Sequence, residues 1–178
     1  QAIESAGLSV SDHMVIVTDP GSPLDIDARS HGLRTINADP HVGGRYSALS
    51  AFGLVPAALM GVDVSVLLDD AAAAAGTFAA EDSPAVAIAT LLFELSEEAI
   101  AFYDAGSALP GISDWIEQLV AESTGKNEKG RIPIVIESAH APVGGRALTV
   151  AFAGGSADLI VQGTLGEQFI LWEWVTAL

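Results

Sequence analysis

The sequence has no cysteine, and its 178 residues include only 7 Lys and Arg against 23 Asp and Glu. Without cysteine, disulfide bonds, thiolate catalysis and cysteine-ligated metals are excluded. The formal net charge of -16 argues against nucleic acid or an anionic membrane as a partner, because both are bound through basic surfaces. The few cations are therefore the residues to inspect for a small anionic ligand.

Metal-binding spacings and long apolar runs are also missing. The apolar stretch 53–68 contains Pro56 and Asp63 and is shorter than the roughly 20 residues of a membrane span. No signal peptide is recognisable, and both ends of the sequence look internal to a longer polypeptide. The four histidines show neither HExxH nor HxH spacing, so no metal site is predicted; they are His13, His31, His41 and His140.

What the sequence does contain is an alternation of strand and helix patterns. A buried strand is predicted over 14–18 and a second strand over 34–37. Between them, a helix to about Gly32 is predicted, with Ser22 as its N-cap and Pro23 at its first position. Strand, helix, strand at this spacing predicts a parallel pair. Helical patterns follow over 46–68, 84–101, 115–123 and from 166 onward, with strands near 100–103, 132–136, 148–153 and 159–162. Ser113 and Asp114 are expected to cap the helix over 115–123. These elements predict an α/β fold, a three-layer αβα sandwich with a mostly parallel sheet and a ligand crevice at the carboxyl ends of its strands.

Two groups of residues could carry chemistry. In the first, Gly43-Gly44-Arg45 lies between a strand and a helix, where backbone N–H groups and a permanent positive charge can face an oxyanion. Spacing alone equally allows a tight turn with Arg45 exposed. In the second, Gln118 and Glu122 share one helix face, and a partly desolvated Glu122 could act as a general base. Periodicity alone favours Glu122 as an ordinary surface charge.

Motif resemblance decides between these alternatives. Residues 37–50, which contain Gly43-Gly44-Arg45-Tyr46-Ser47, closely resemble a signature of the phosphoglucose isomerase family. Residues 114–126, which contain Gln118-x3-Glu122-Ser123, resemble that family's Gln-x3-Glu-Ser-x-Gly-Lys segment, and residues 18–24 resemble its strand-end turn. The three motifs occur in the family's order and extend over essentially the whole chain.

The resemblance implies a flavodoxin- or Rossmann-like sugar isomerase (SIS) domain over 1–178, the second of two in a longer enzyme. It implies interconversion of glucose 6-phosphate and fructose 6-phosphate in glycolysis and gluconeogenesis, with no metal and no organic cofactor. Carried over by position, Glu122 moves the proton through a cis-enediol, Arg45 stabilises its charge, Gly44 shapes the pocket and Gln118 holds the substrate. A homodimer of the full-length protein and a cytoplasmic location are also implied.

Parts of the family's pattern fall outside these residues. Its Ser- and Thr-rich phosphate-binding segments and its later segment with a catalytic Lys are not in this sequence, and His140 aligns poorly with the family's ring-opening His. We therefore expect the chain alone to be inactive. Two alternatives stay open: a non-catalytic SIS-domain sugar-phosphate sensor, and a fusion with another sugar-phosphate enzyme. A sensor would have no specific need for Glu122.

Overall fold

The computed structural model describes residues 2–78, 80, 82–94, 96–104, 106–126, 130–138, 140–141, 143 and 145–178. Contacts divide the chain into two units, Gln1–Val64 and Ser65–Leu178. The interpretation of residues 1–178 as one SIS domain stays a prediction. Within the described ranges, no helix is both long enough and apolar enough to cross a bilayer.

The first unit is built around a parallel strand pair. Its elements are α1 (Ala2–Ser5), α2 (Val10–His13), β1 (Val15–Thr18), α3 (Pro23–Ser30), β2 (Arg34–Asn37), a 3-10 turn (Gly44–Tyr46) and α4 (Ala51–Leu59). In the register of the pair, Val15 lies opposite Arg34 and Thr18 opposite Asn37. The predicted cap is confirmed, because the Ser22 hydroxyl accepts a hydrogen bond from the backbone N–H of Asp25 at 3.1 Å. The predicted βαβ unit is therefore present.

The long helix predicted over 46–68 is interrupted. Helix α4 ends at Leu59, and the next helix, α5 (Val64–Ala75), starts after a turn. Gly61 adopts a φ of 89° in this turn, a conformation that side chains with a Cβ rarely reach. Apolar spacing alone predicted one continuous helix, and the turn at Gly61 divides it into α4 and α5.

The second unit contains a four-stranded parallel sheet in the order β4-β3-β5-β6. Besides α5, its elements are α6 (Pro84–Glu94), β3 (Ala99–Tyr103), α7 (Ile112–Thr124), β4 (Ile132–Val135), β5 (Ala147–Ala151), β6 (Leu159–Ile160) and α8 (Leu165–Ala177). The helix predicted over 84–101 is too long, because its last residues form the start of β3. The α/β class and the parallel strands are confirmed, and the three-layer sandwich stays a prediction.

The core of this unit lies between β3 and the helices. All five residues of β3 are buried, and a cluster of aromatic rings packs at its centre. The Phe102 and Trp172 rings meet edge to face at 5.3 Å between centroids, and Phe152 lies 6.2 Å from Trp172. Such rings bury large apolar areas and prefer these tilted geometries. The arrangement attaches α8 firmly to the sheet.

The start of α7 is capped differently from the prediction. Ser113 and Asp114 were expected as the cap, but the helix begins at Ile112 after Gly111. The carboxylate of Asp104, just beyond β3, accepts hydrogen bonds from the backbone N–H of Gly111 at 2.9 Å and from the Ser113 hydroxyl. An acidic side chain at a helix N-terminus satisfies N–H groups that have no partner within the helix. The strand end therefore supplies the cap.

Arg131 joins the end of α6 to the start of β4. Its Nε donates to the carbonyl oxygen of Leu92 at 3.1 Å, and a terminal nitrogen donates to that of Phe93 at 3.0 Å. Carbonyl groups in the last turn of a helix have no partners within the helix, and a cation is favoured there. Arg131 is thus occupied as a structural cation.

Candidate functional site

The predicted Gly-Gly-Arg group lies beyond the carboxyl end of β2. Gly43 is extended and precedes the 3-10 turn, in which Arg45 is half-buried. The guanidinium carbon of Arg45 lies 5.3 Å from the centroid of the Tyr46 ring. A cation over an aromatic face gains an electrostatic attraction that also restricts its motion. The turn therefore presents a partly ordered positive charge.

Neither steric crowding nor backbone conformation requires a glycine at the two glycine positions of this group. A Cβ built on Gly43 or Gly44 meets no atom within 4 Å in the described structure, and neither has a positive φ. Gly53 is different, because a Cβ there would overlap the carbonyl oxygen of Ala48. The space beside Gly44 is thus open, and its pocket-shaping role stays a prediction.

A buried carboxylate network supports the carboxyl edge of the same two strands. Asp25 accepts from the Gly21 backbone N–H at 2.9 Å and from Nε of Arg29 at 2.8 Å, and the Asn37 amide donates to it at 3.0 Å. The Gly21 N–H, followed by the Asn37 amide and Arg29, holds the pKa of Asp25 below its usual value. Arg29 is therefore a structural cation, not a free anion-binding group.

Gln118 and Glu122 share one face of α7, as predicted. The amide nitrogen of Gln118 donates to Oε1 of Glu122 at 3.2 Å, and both side chains are exposed. The hydrogen bond orients the carboxylate of Glu122 while leaving it accessible. The helix body does not bury Glu122, so desolvation of this carboxylate is not supplied by its own helix.

The direction of α7 determines the edge at which Glu122 lies. β3 and β4 are parallel and α7 connects them, so the helix must run back toward the amino ends of the strands. Glu122, in its last turn, therefore lies at the amino edge of the second sheet. Gly44 and Arg45, by contrast, follow the carboxyl end of β2 in the first unit. The ligand crevice expected at the carboxyl ends of the strands stays a prediction.

A largely apolar cavity of about 440 Å³ opens near this amino edge. It is lined by residues from the ends of α6, α7 and α8, among them Val120, Thr124 and Leu178. Val120 and Thr124 flank Glu122 in α7, so the cavity lies close to the predicted base, although Glu122 is not part of its wall.

Other cationic and metal-ligating side chains of the described ranges add no further site. The exposed side chain of Arg146 forms an ion pair at 2.8 Å with Glu97, whose side chain is largely buried. His140 is exposed and gains no role from its position. In the part of the chain that is described, no cluster of three metal-ligating side chains occurs.

One titratable group was missed by sequence reasoning. Glu173 lies in α8 between two tryptophans, and burial raises its pKa to about 7. Its Oε1 has no hydrogen-bond partner in the described structure. One turn earlier, the Phe169 ring contacts Trp115 of α7 at 4.8 Å between centroids. In the sequence, the position of Glu173 between two tryptophans in an apolar helix was the signal that could have indicated its burial.

Comparisons with known proteins identify the relatives of the chain. A probable glucose-6-phosphate isomerase of Haloarcula marismortui is 38% identical over 139 residues, which are 75% of this chain and 32% of that protein. The glucose-6-phosphate isomerase of Carboxydothermus hydrogenoformans is 32% identical over 180 residues, covering 96% of this chain and 38% of the relative. One from Synechococcus is 37% identical over 71% of the chain and 25% of its own length. The chain thus spans a quarter to two fifths of these relatives.

The fold also has a solved neighbour. The crystal structure of the hypothetical protein TT0462 from Thermus thermophilus matches 94% of this chain and 57% of its own chain with a TM-score of 0.75. At 21% identity this likeness concerns the fold alone. No family model matches the chain. The sequence relatives, which share 32–38% identity over most of its length, show that the chain is a partial member of the glucose-6-phosphate isomerase family.

Proposed function

We propose that the complete protein containing this chain interconverts glucose 6-phosphate and fructose 6-phosphate, with Glu122 as the catalytic base. The observation that carries the proposal is the pairing of Gln118 with Glu122 on the exposed face of α7, in a chain of this isomerase family. An exposed, oriented carboxylate can reach a substrate carbon. The proposed place of action is the cytoplasm, in glycolysis and gluconeogenesis.

The reaction moves one proton between adjacent carbons. Glu122 takes the proton from C2 of the open-chain aldose, and the electrons of that C–H bond form the double bond of a cis-enediol while O1 gains a proton. Return of a proton to C1, with loss of the proton on O2, gives the ketose. Because no electron leaves the sugar, a base and a stabiliser of negative charge suffice, and the proposal includes no cofactor.

Arg45 is the proposed stabiliser of the enediol charge. Its guanidinium is always protonated and is held beside Tyr46. The open space next to Gly44 would admit the sugar close to the backbone. Gln118 would hold the substrate in addition to orienting Glu122. Phosphate binding and ring opening are assigned to parts of the complete protein outside these 178 residues, so the chain alone is proposed to be inactive, and the active form to be a homodimer.

The test compares the complete protein with its Glu122→Gln variant, using fructose 6-phosphate in deuterated water. We expect deuterium at C1 with the unchanged protein and a loss of about 10²–10⁴-fold in both exchange and isomerisation with the variant, the usual contribution of a general base. Glu117→Gln, on the same helix, is the matched control and should keep full activity.

Two outcomes count against this assignment. Unchanged exchange in Glu122→Gln would show that another group is the base. Binding of fructose 6-phosphate by the unchanged protein without any exchange would instead identify a non-catalytic sugar-phosphate sensor. The two results are separable because binding is measured by calorimetry and exchange by mass spectrometry.

A further inference from the structure

Gln168 is a fully buried side chain whose orientation is determined by a neighbour. It lies in the first turns of α8, and its Oε1 accepts a hydrogen bond from the indole Nε1 of Trp172 at 3.2 Å. An indole nitrogen can only donate, so the oxygen of the amide must face Trp172. The amide nitrogen therefore points the other way.

That amide nitrogen has no hydrogen-bond partner in the described structure. Buried polar groups in folded proteins nearly always have a partner, and leaving one without costs about 1–3 kcal/mol. The hydrogen bond from Trp172 excludes the simple remedy of flipping the amide. An acceptor outside the described residues is thus the expected partner of Gln168.

Gln168 lines a cavity of about 540 Å³, within the range of small-molecule sites. Apolar side chains contributed by the α5–α6 region, β6 and α8 form most of its wall. They include Phe78, Ile88, Leu159, Val161 and Leu171. The cavity combines a large apolar surface with one buried donor, the usual composition of a ligand pocket.

The other polar side chains of the wall already have partners. The Thr77 hydroxyl donates to the carbonyl oxygen of Ala74 at 2.8 Å, and the Gln162 amide donates to that of Ala153 at 3.0 Å. Glu167 accepts from the backbone N–H of Thr164 at 2.7 Å. Among the described residues, the lining includes this carboxylate and no Lys or Arg, so it disfavours anions such as sugar phosphates.

We propose that this cavity binds a small uncharged molecule with an apolar body and a carbonyl oxygen, which accepts a hydrogen bond from the amide nitrogen of Gln168. The ligand is distinct from the substrate of the proposed isomerase, which is anionic. The site is also distinct in place. α8 starts after β6 at the carboxyl edge of the sheet, whereas Glu122 lies at the amino edge.

The test uses the complete protein that contains this chain, labelled with ¹⁵N, and cyclohexanone as the probe. Methylenecyclohexane is the matched control ligand, because it has the same ring and no acceptor oxygen. We expect cyclohexanone to shift the side-chain amide signal of Gln168 and the indole signal of Trp172 in a saturable way, with at least tenfold weaker binding of the control. Equal binding of the two molecules, or no saturable shift, would overturn the proposal.

A variant tests the donor directly. Gln168→Met keeps much of the side-chain volume and removes both N–H groups, so it should bind cyclohexanone at least tenfold more weakly. The control variant Glu117→Gln on α7 should bind it as the unchanged protein does. If Gln168→Met does not fold, the comparison of the two probes on the unchanged protein decides. A bound water as the only partner of Gln168, seen as a water cross-peak that cyclohexanone does not displace, would also overturn the proposal.

Discussion

The amide nitrogen of Gln118 lies 3.2 Å from Oε1 of Glu122, one helical turn further along α7. The hydrogen bond ties the orientation of the proposed base to a side chain that is itself proposed to contact the substrate. Loss of the donor should therefore affect the reaction of bound substrate as well as its binding.

We expect Gln118→Met in the complete protein to lower kcat/KM by roughly ten- to a hundredfold, because a hydrogen bond to a charged group is worth about 1.5–3 kcal/mol. Part of the loss should be in kcat, since the freed carboxylate of Glu122 samples other orientations. Steady-state kinetics measures this, with Glu117→Gln as the control. A change confined to KM would show that Gln118 only binds substrate.

Gly44→Ala should separate activity from stability. A Cβ there enters open space, so the melting temperature should not change, whereas kcat/KM should fall by about 10²-fold if the sugar approaches the backbone at this point. Gly53→Ala is the contrasting variant, because its Cβ overlaps the carbonyl oxygen of Ala48 and should cost about 1–3 kcal/mol of stability. Full activity of Gly44→Ala would remove this glycine from the proposed site.

Glu173 should make the second unit less stable as pH rises. Its pKa is about 7 in the folded chain, against a usual value of 4.5. Between these values the folded chain keeps a proton that the unfolded chain releases, so the free energy of unfolding falls as pH increases through this window. Below pH 4.5 the effect is absent.

Glu173→Gln should therefore melt at a higher temperature than the unchanged chain at pH 8 and at a similar temperature at pH 4.5. Melting curves recorded by circular dichroism across this range provide the measurement, and Glu117→Gln serves as the control. Parallel pH profiles for the unchanged chain and Glu173→Gln would contradict the raised pKa.

Asp25 should act in the opposite direction in the first unit. The Gly21 N–H, Asn37 and Arg29 hold its pKa below the usual 3.8, so its stabilising effect is complete above that pH and is lost as pH falls through the lowered pKa. Asp25→Asn should lower the melting temperature by several degrees at pH 7, and the difference should shrink in strong acid. Asp27→Asn, on the exposed side of α3, should have little effect at either pH.

Local signals predicted the first βαβ unit well. The turn residue Gly21, the N-cap Ser22 and the first helical residue Pro23 are each recognisable from sequence. The structure confirms both strands and the cap. The helix predicted over 84–101 extended too far, because its last residues belong to β3, which is buried along its whole length. A fully buried strand has no alternation of polar and apolar residues to distinguish it from a buried helix. The cap of α7 could not be predicted, since its acceptor, Asp104, belongs to the preceding strand end.

Helical spacing predicted that two of the candidate residues share a helix face, but it did not predict where that face lies in the fold. Gln118 and Glu122 share a helix face as their spacing requires. The amino-edge position of Glu122 follows from the parallel pairing of β3 and β4, which helical spacing does not contain. The raised pKa of Glu173 and the orientation of Gln168 depend on packing around α8, and only the structure reveals them.

Arg131 has a consequence for how the second unit opens. Its guanidinium holds the final carbonyls of α6 while its backbone leads into β4, across 38 or 39 positions of sequence. Unravelling of that helix end and detachment of that edge strand should thus occur as one cooperative event. Amide hydrogens in the last turn of α6 and along β4 are expected to exchange with solvent at a common rate, and Arg131→Met should uncouple them.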